Sequence, residues 1–302
     1  MRKQLCDALV ARAAKPDLVF LTGDLGFMAL EALQAALGPR FINAGVAEQN
    51  MVSVAAGLAR QGMEAWVYSI APVCYARPFE QIRNDITFHQ LPVKLIGNGG
   101  GYGYGVMGPT HHAIEDYGVL LTLPHMRVYV PAFDEDMAAV IESAGTLQRP
   151  TYLRIGRGEP PKDYAVPAYA PWRQLTSGNG PVVIAVGPLA GTYIEAVSQL
   201  PPLRRPNLWV VTELPLEHNP LPVQLLEQIV LSGDLHVAEE HVRRGSFGAE
   251  LALQFLEHGI AVKRFHHHHA RAHHFERYGS QNFLRRLSAL DPASLVAALS
   301  NS

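Results

Sequence analysis

Over its first 155 residues the chain alternates short apolar extended runs with stretches of helical periodicity, and that alternation leaves few ways to fold. Extended runs at 17–21, 41–43, 64–68, 93–96, 127–130 and 151–155 are separated by helical patterns at 2–14, 28–37, 48–59, 79–86, 112–121 and 134–144. This is βαβ rhythm, which predicts a parallel sheet covered by helices on both faces. Residues 157–180 are rich in Pro, Gly and Tyr without clear periodicity and read as a connection. Beyond them, 181–187, 208–211 and 235–238 read as buried strands between helical segments near 189–199, 221–230 and 247–257. The expected architecture is α/β in two domains, each a mostly parallel sheet flanked by helices. The first spans 1–160, a linker 161–180, and the second 181–302; the halves share no motif and no internal repeat.

With 302 residues, 48% of them hydrophobic and 17% charged, the chain can bury the core that two such domains need. A formal charge of −2, with no long Lys/Arg cluster, gives no electrostatic footprint for nucleic acid or an anionic membrane. No apolar run approaches the roughly 20 residues of a membrane span, and the opening Met1-Arg-Lys-Gln-Leu-Cys-Asp lacks the apolar core of a secretory signal. A cytoplasmic protein is expected. Cys6 and Cys74 are too few and too far apart for a disulfide framework or a zinc site, and read as reduced thiols.

One acid stands out. Glu48 opens a helix of small residues through Ala59, and helical spacing puts it on the side of Met51, Val52, Ala55 and Ala59. A carboxylate directed into packing needs a partner or a shifted pKa, which either a local donor or a bound cofactor would supply. Three further segments fall beyond the carboxyl ends of strands, where open parallel sheets bind ligands. They are Gly23-Asp24-Leu25-Gly26, the glycine run 97–105 leading into Gly108-Pro109-Thr110-His111-His112, and Arg154-Ile-Gly-Arg157-Gly. So much glycine permits close backbone approach to a ligand and equally suits a mobile lid. Thr110 reads as an N-cap for the 112–121 helix. The histidine pair reads as site or as structural capping. An arginine ending a strand can hold a phosphate or carboxylate bidentately, or simply face solvent.

Taken in order, Gly23-Asp-Leu-Gly, Ile42-Asn-Ala-Gly-Val-Ala-Glu48-Gln-Asn, Arg77-Pro-Phe-Glu-Gln-Ile-Arg-Asn-Asp85 and Gly108-Pro-Thr-His111-His-Ala-Ile-Glu-Asp116 resemble the pyrimidine-binding domain of the transketolase family. The resemblance covers most of residues 1–160. More weakly, Val183-Ile-Ala-Val-Gly-Pro188, Ala238-Glu-Glu-His241 and Glu276-Arg-Tyr-Gly-Ser280 resemble the transketolase C-terminal domain. The resemblance implies thiamine diphosphate as cofactor. It implies that Glu48 hydrogen-bonds N1′ of the aminopyrimidine and so activates the cofactor, whose carbanion chemistry the protein positions and tunes. By the same resemblance His111 is catalytic and contacts substrate hydroxyls, and Arg157 holds a sugar phosphate. Tyr75 and Phe79 are the nearest aromatics for stacking the pyrimidine, although the local spacing differs from the family's and core packing accounts for them equally well.

The pattern also breaks. Transketolases bind the cofactor diphosphate and Mg2+ through a Gly-Asp-Gly motif, as the resemblance implies, and none occurs in these 302 residues. The expectation is therefore the C-terminal subunit of a split transketolase, a transferase moving a two-carbon ketol unit from a ketose phosphate to an aldose. It should be inactive without a separate diphosphate-binding subunit that holds most of the Mg2+ site, most simply in an α2β2 assembly that includes self-association. Met107 and Gly99 stand where the family usually has a donor-recognising acid and a further histidine, which opens the substrate choice. The alternative is the β subunit of a 2-oxo-acid dehydrogenase or an acyloin-forming relative, whose corresponding loop is usually less rich in histidine. A non-catalytic assembly protein that kept the fold is disfavoured by Glu48, His111 and Arg157 occurring together. His266–His269, His273 and His274 place six of 14 histidines in nine positions. They read as a solvated loop with incidental metal affinity, and no metal ligand is assigned in this chain.

Overall fold

The structure, a computed structural model, describes residues 1–300. Twelve strands form it: β1 Leu18–Thr22, β2 Phe41–Asn43, β3 Glu64–Ile70, β4 Lys94–Asn98, β5 Arg127–Tyr129, β6 Thr151–Ile155, β7 Trp172–Thr176, β8 Val182–Val186, β9 Asn207–Val211, β10 Glu213–Leu214, β11 Asp234–Glu239 and β12 Arg264–His269. They make two sheets, ordered β10-β5-β6-β4-β3-β1-β2 and β12-β11-β8-β9-β7. Every pairing is parallel except β10 with β5 and β7 with β9. This is the expected two-sheet α/β fold.

The period-two alternation of β1 shows why both faces are covered. Leu18 and Phe20 pack with Leu5, Leu9, Leu33 and Ile141 on one side. Val19 and Leu21 pack with Met51, Val52 and Ala55 of the helix Glu48–Arg60 on the other. That second cluster runs on without a break to Ile184 of β8 and Val237 of β11, so the two sheets share apolar packing.

Polar contacts lock the sheets together through the residues at the end of β11 and just after it. Glu239 accepts from the Tyr117 hydroxyl, from the Phe247 and Gly248 amides at 3.1 and 2.8 Å, and pairs with His267 Nε2 at 2.7 Å. Glu240 accepts from the Tyr102 amide at 2.8 Å and from Arg285 Nη2 at 2.9 Å. The His241 ring stacks on Tyr117, with centroids 4.1 Å apart.

Four expectations change. Trp172–Thr176, inside the supposed connection, is an edge strand antiparallel to β9; it is stapled to the first half by Arg173, which donates to Asp136 twice at 2.7 Å. The histidine run 266–269 is not a loop but lies in β12, paired in parallel with β11. Thr110 caps no helix: residues 109–111 form a 3-10 turn, and the helix that follows is Asp116–Leu121. Finally, the expected helix 79–86 is α-helical only over Phe79–Gln81 and widens into a π-helix over Ile82–Thr87. There Asp85 Oδ2 accepts from Ser53 Oγ of the neighbouring helix at 2.6 Å. No described helix is long and apolar enough to cross a membrane.

Candidate functional site

The loops after β1, β2, β3, β4 and β6 all leave the first sheet at its carboxyl end, the end at which parallel sheets bind ligands. Glu48 sits there as the first residue of its helix, 7% exposed. Its partner is Arg77, whose Nη1 lies 3.1 Å from both carboxylate oxygens. Arg77 comes from the turn between Ala71–Tyr75 and Phe79–Gln81 and is itself more than half exposed. The cover on this buried acid is thus a side chain that reaches in from solvent. Ser69 Oγ, near the end of β3 on the face that the Glu48 helix covers, and Gln81 Oε1, on the segment Phe79–Gln81 that packs against that helix, are buried without a hydrogen-bond partner. A buried carboxylate beside unpaired polar atoms fits a polar heterocycle such as an aminopyrimidine better than it fits apolar packing.

The glycine run is a packed cradle and not a lid. Gly99 and Gly100 amides donate to Ile155 O at 3.0 and 3.2 Å, and Gly101 exchanges backbone hydrogen bonds with Ala113 at 2.8 and 2.9 Å. A Cβ on Gly100 would come within 2.3 Å of Arg154 Nε, and one on Gly101, at φ +65°, within 2.7 Å of the Glu240 carboxyl. The two arginines of Arg154-Ile-Gly-Arg157 therefore divide. Arg154 is buried, donating to Ala113 O at 2.9 Å and Glu240 O at 2.8 Å and facing Asp116 at 3.1 Å. Arg157 is exposed.

His111 and Arg157 flank one residue to which the sequence pattern gave no role. Tyr104 takes a hydrogen bond from Asn98 Nδ2 at 2.6 Å and meets the His111 ring edge-to-face at 6.4 Å. Burial raises its hydroxyl pKa, and the nearby guanidiniums of Arg2 and Arg157 oppose that rise. His111 is half-buried, with Thr110 Oγ1 3.0 Å from its Nδ1. The segment Ala71–Tyr75 packs against the turn Pro109–His111, and its Cys74 thiol, buried and pushed up to about 12 chiefly by desolvation, feels the charges of both Asp116 and Glu48. Of the two aromatics expected to stack a pyrimidine, Tyr75 is buried in the main core and Phe79 half-buried at its margin. Neither Arg77 nor Tyr104 stood out in the sequence, because an exposed arginine and a tyrosine among glycines are common; only the fold brings them to Glu48 and His111.

His112 behaves differently from its neighbour. It is buried, edge-on to Tyr102 at 5.2 Å and stacked on His273 at 5.9 Å, and neither ring nitrogen has a hydrogen-bond partner. Burial, with His273 and His274 adding to it and Glu115 opposing, lowers its pKa from 6.5 to about 4. A folded pKa below the unfolded one means that the unfolded chain takes up the proton first. Stability from this group is complete above pH 6.5 and is lost as the pH falls toward 4. Thermal melts across that window should show Tm falling with pH, and His112→Phe should flatten the slope; an unchanged slope would mean that His112 is not held neutral.

Residues 1–162, just over half of the chain, match the family model of the transketolase pyrimidine-binding domain. The chain is 29% identical to a subunit of the apulose-4-phosphate transketolase of Phocaeicola vulgatus, across 87% of this chain and 85% of that one. It is 30% identical to a 1-deoxy-D-xylulose-5-phosphate synthase of Syntrophus aciditrophicus, over 89% of this chain but only 42% of the longer enzyme. Among solved structures it superposes on a split-gene transketolase, an inactive β4 tetramer, with a TM-score of 0.82 and 28% identity, covering 99% of this chain and 96% of that one.

Proposed function

The chain belongs to the transketolase family, and we propose that it is the C-terminal subunit of a split, thiamine-diphosphate-dependent transketolase. In this reading it transfers a two-carbon ketol unit from a ketose phosphate to an aldose, and it works only with a separate subunit that binds the diphosphate and most of the Mg2+ site. When bound, thiamine diphosphate supplies the carbanion chemistry. Glu48 would hold the aminopyrimidine at N1′ and keep a proton there, with Arg77 swinging aside. His111, its ring steadied by Thr110, would meet the substrate hydroxyls, and exposed Arg157 would take the sugar phosphate. Tyr75 and Phe79 would support the pyrimidine from the core side. The chain divides, on this view, into a pyrimidine domain to about residue 160 and a C-terminal domain that β7 joins.

The observation that carries this reading is the surface around Glu48. Phe27, Met28, Val46, Val106 and Met107 are all exposed on the loops at the carboxyl end of the first sheet. Apolar side chains left exposed on the loops at the ligand end of a sheet suit a surface that another chain covers. The relative that is one subunit of a transketolase, and the split-gene chain that forms an inactive β4 tetramer, support the same reading. An α2β2 assembly satisfies it most simply.

The test is calorimetric titration of thiamine diphosphate with Mg2+ into this chain alone and into its mixture with a candidate diphosphate-domain subunit, each followed by a ketol-transfer assay. Binding in the mixture only, with transfer from a ketose phosphate, is expected. Tight binding to the lone chain, or decarboxylation of a 2-oxo acid without ketol transfer, would replace this reading with another thiamine-diphosphate chemistry.

A further inference from the structure

We propose that Asp234, His236 and His266 form a binding site for one divalent transition-metal ion of the zinc class, at the end of the second sheet remote from Glu48. The site arises from strand register. β11 and β12 run parallel with Asp234 opposite Arg264, His236 opposite His266 and Ala238 opposite His268. Side chains two apart share a face, so Asp234, His236, His266 and His268 stand together, while His267 turns to Glu239 on the other face.

The distances are those of ligands around an ion and not of a hydrogen-bonded pair. Asp234 Oδ1 lies 3.4 Å from His266 Nε2 and 3.6 Å from His236 Nε2, and the three donor atoms lie within 4.8 Å of one another. An Asp–His hydrogen bond would close to about 2.8 Å. Zinc held at about 2.0–2.1 Å by nitrogen and oxygen in a tetrahedron separates its ligand atoms by about 3.4 Å. Asp234 Oδ1 and His266 Nε2 are both buried with no hydrogen-bond partner, and Asp234 as a whole is only 3% exposed. Such atoms are costly to leave unsatisfied.

The surroundings are arranged as an outer shell. Arg264 Nη2 holds the other Asp234 oxygen at 2.9 Å, which leaves Oδ1 to act alone. His236 Nδ1 lies 3.0 Å from His268 Nε2, fixing the ring that presents Nε2 to the ion. Two imidazoles and one carboxylate suit zinc, cobalt or nickel and not magnesium or calcium. The half-exposed His266 on the edge strand gives an entry path, and water would take the fourth position. Asp234 begins β11, whereas Glu239, which contacts Tyr117 on the helix Asp116–Leu121, ends it. The ion would tie the edge strand to the sheet and is independent of the thiamine chemistry. His273 and His274 take no part, since they pack on His112 and Tyr102.

The full chain, stripped with a chelator and dialysed, is titrated calorimetrically with ZnCl2. One ion per chain is expected, with a higher Tm in its presence. His266→Gln should weaken binding by at least about 100-fold and His268→Gln, one shell out, by about 10–100-fold, while His269→Gln, on the opposite face of the same strand, should leave it unchanged. Substitution with Co2+ should give the intense visible bands of a tetrahedral ion in the parent and not in His266→Gln. A His266→Gln chain whose metal-free melt matches the parent excludes misfolding as the cause. Equal losses in His266→Gln and His269→Gln, several weak ions per chain, or no binding heat would overturn the site and leave only diffuse histidine affinity.

Discussion

Glu48→Gln is expected to lower the turnover of the reconstituted two-chain enzyme by about 10²–10⁴-fold, the range that a positioned acid–base group contributes, while leaving the fold intact. Glutamine keeps the size and hydrogen-bonding reach of the side chain but cannot exchange a proton at N1′ of the cofactor. The stability cost should be small. The ion pair that is lost, Arg77 Nη1 to the two Glu48 oxygens at 3.1 Å, involves an arginine that is more than half exposed, and such pairs contribute about 0–1 kcal/mol. Arg77→Ala separates the two roles Glu48 could have. If Glu48 only anchors Arg77, both variants should lose a little stability and keep normal turnover; if Glu48 acts on the cofactor, only Glu48→Gln should be slow. Steady-state kinetics of both variants with saturating partner and cofactor, beside a thermal melt of each, decide the matter. Full turnover in Glu48→Gln would remove the activation role.

How much of this was readable in the chain follows from the range of each interaction. Six strands of the first sheet were legible because the inner ones are buried on both faces and read as near-continuous apolar runs, whereas its two-residue edge strand β10 comes from beyond β9 and carries no such run. Glu48 was legible because an acid among Met51, Val52 and Ala55 contradicts its local surroundings. What failed was long-range. β12 carries four histidines and reads as a solvated loop until β11, some 30 residues earlier in the chain, supplies its backbone partners. β7 hides between Pro- and Gly-rich flanks, and the Asp136 that its Arg173 pairs with lies 37 residues earlier in the chain. The sequence likewise could not divide Arg154 from Arg157: both are arginines at the strand's end, and only the fold shows that Arg154, inside β6, is a buried anchor while Arg157, beyond it, is open to a ligand. The glycines at 99–101 were ambiguous between lid and cradle for the same reason, since the Arg154 and Glu240 side chains that exclude a Cβ come from distant positions.

Arg154→Met should destabilise the fold by about 3–5 kcal/mol, the cost of removing one partner from a buried ion pair. Asp116 is wholly buried and Arg154 is 5% exposed. Burial alone disfavours the guanidinium's charge, yet Asp116, Tyr117, Tyr152 and Glu240 outweigh it and hold its pKa above the ordinary value. With methionine in its place, the Asp116 carboxylate would keep the Tyr152 hydroxyl at 2.8 Å but lose its cationic neighbour at 3.1 Å. The carbonyls of Ala113 and Glu240, now 2.9 and 2.8 Å from Arg154 Nη2, would lose a donor, and the second of these belongs to the chain after β11. The damage therefore reaches the contact between the two sheets as well as the glycine cradle beneath His111. Adding Asp116→Asn to Arg154→Met tests the cause, because a neutral amide leaves no uncompensated charge. The double variant should recover part of the loss, giving a coupling within the range of about 0.5–3 kcal/mol expected of groups in direct contact. Urea unfolding of the parent, both single variants and the double variant measures that cycle. A single-variant loss below about 1 kcal/mol, the scale of an exposed pair, would mean that water reaches Asp116 and that Arg154 is no anchor.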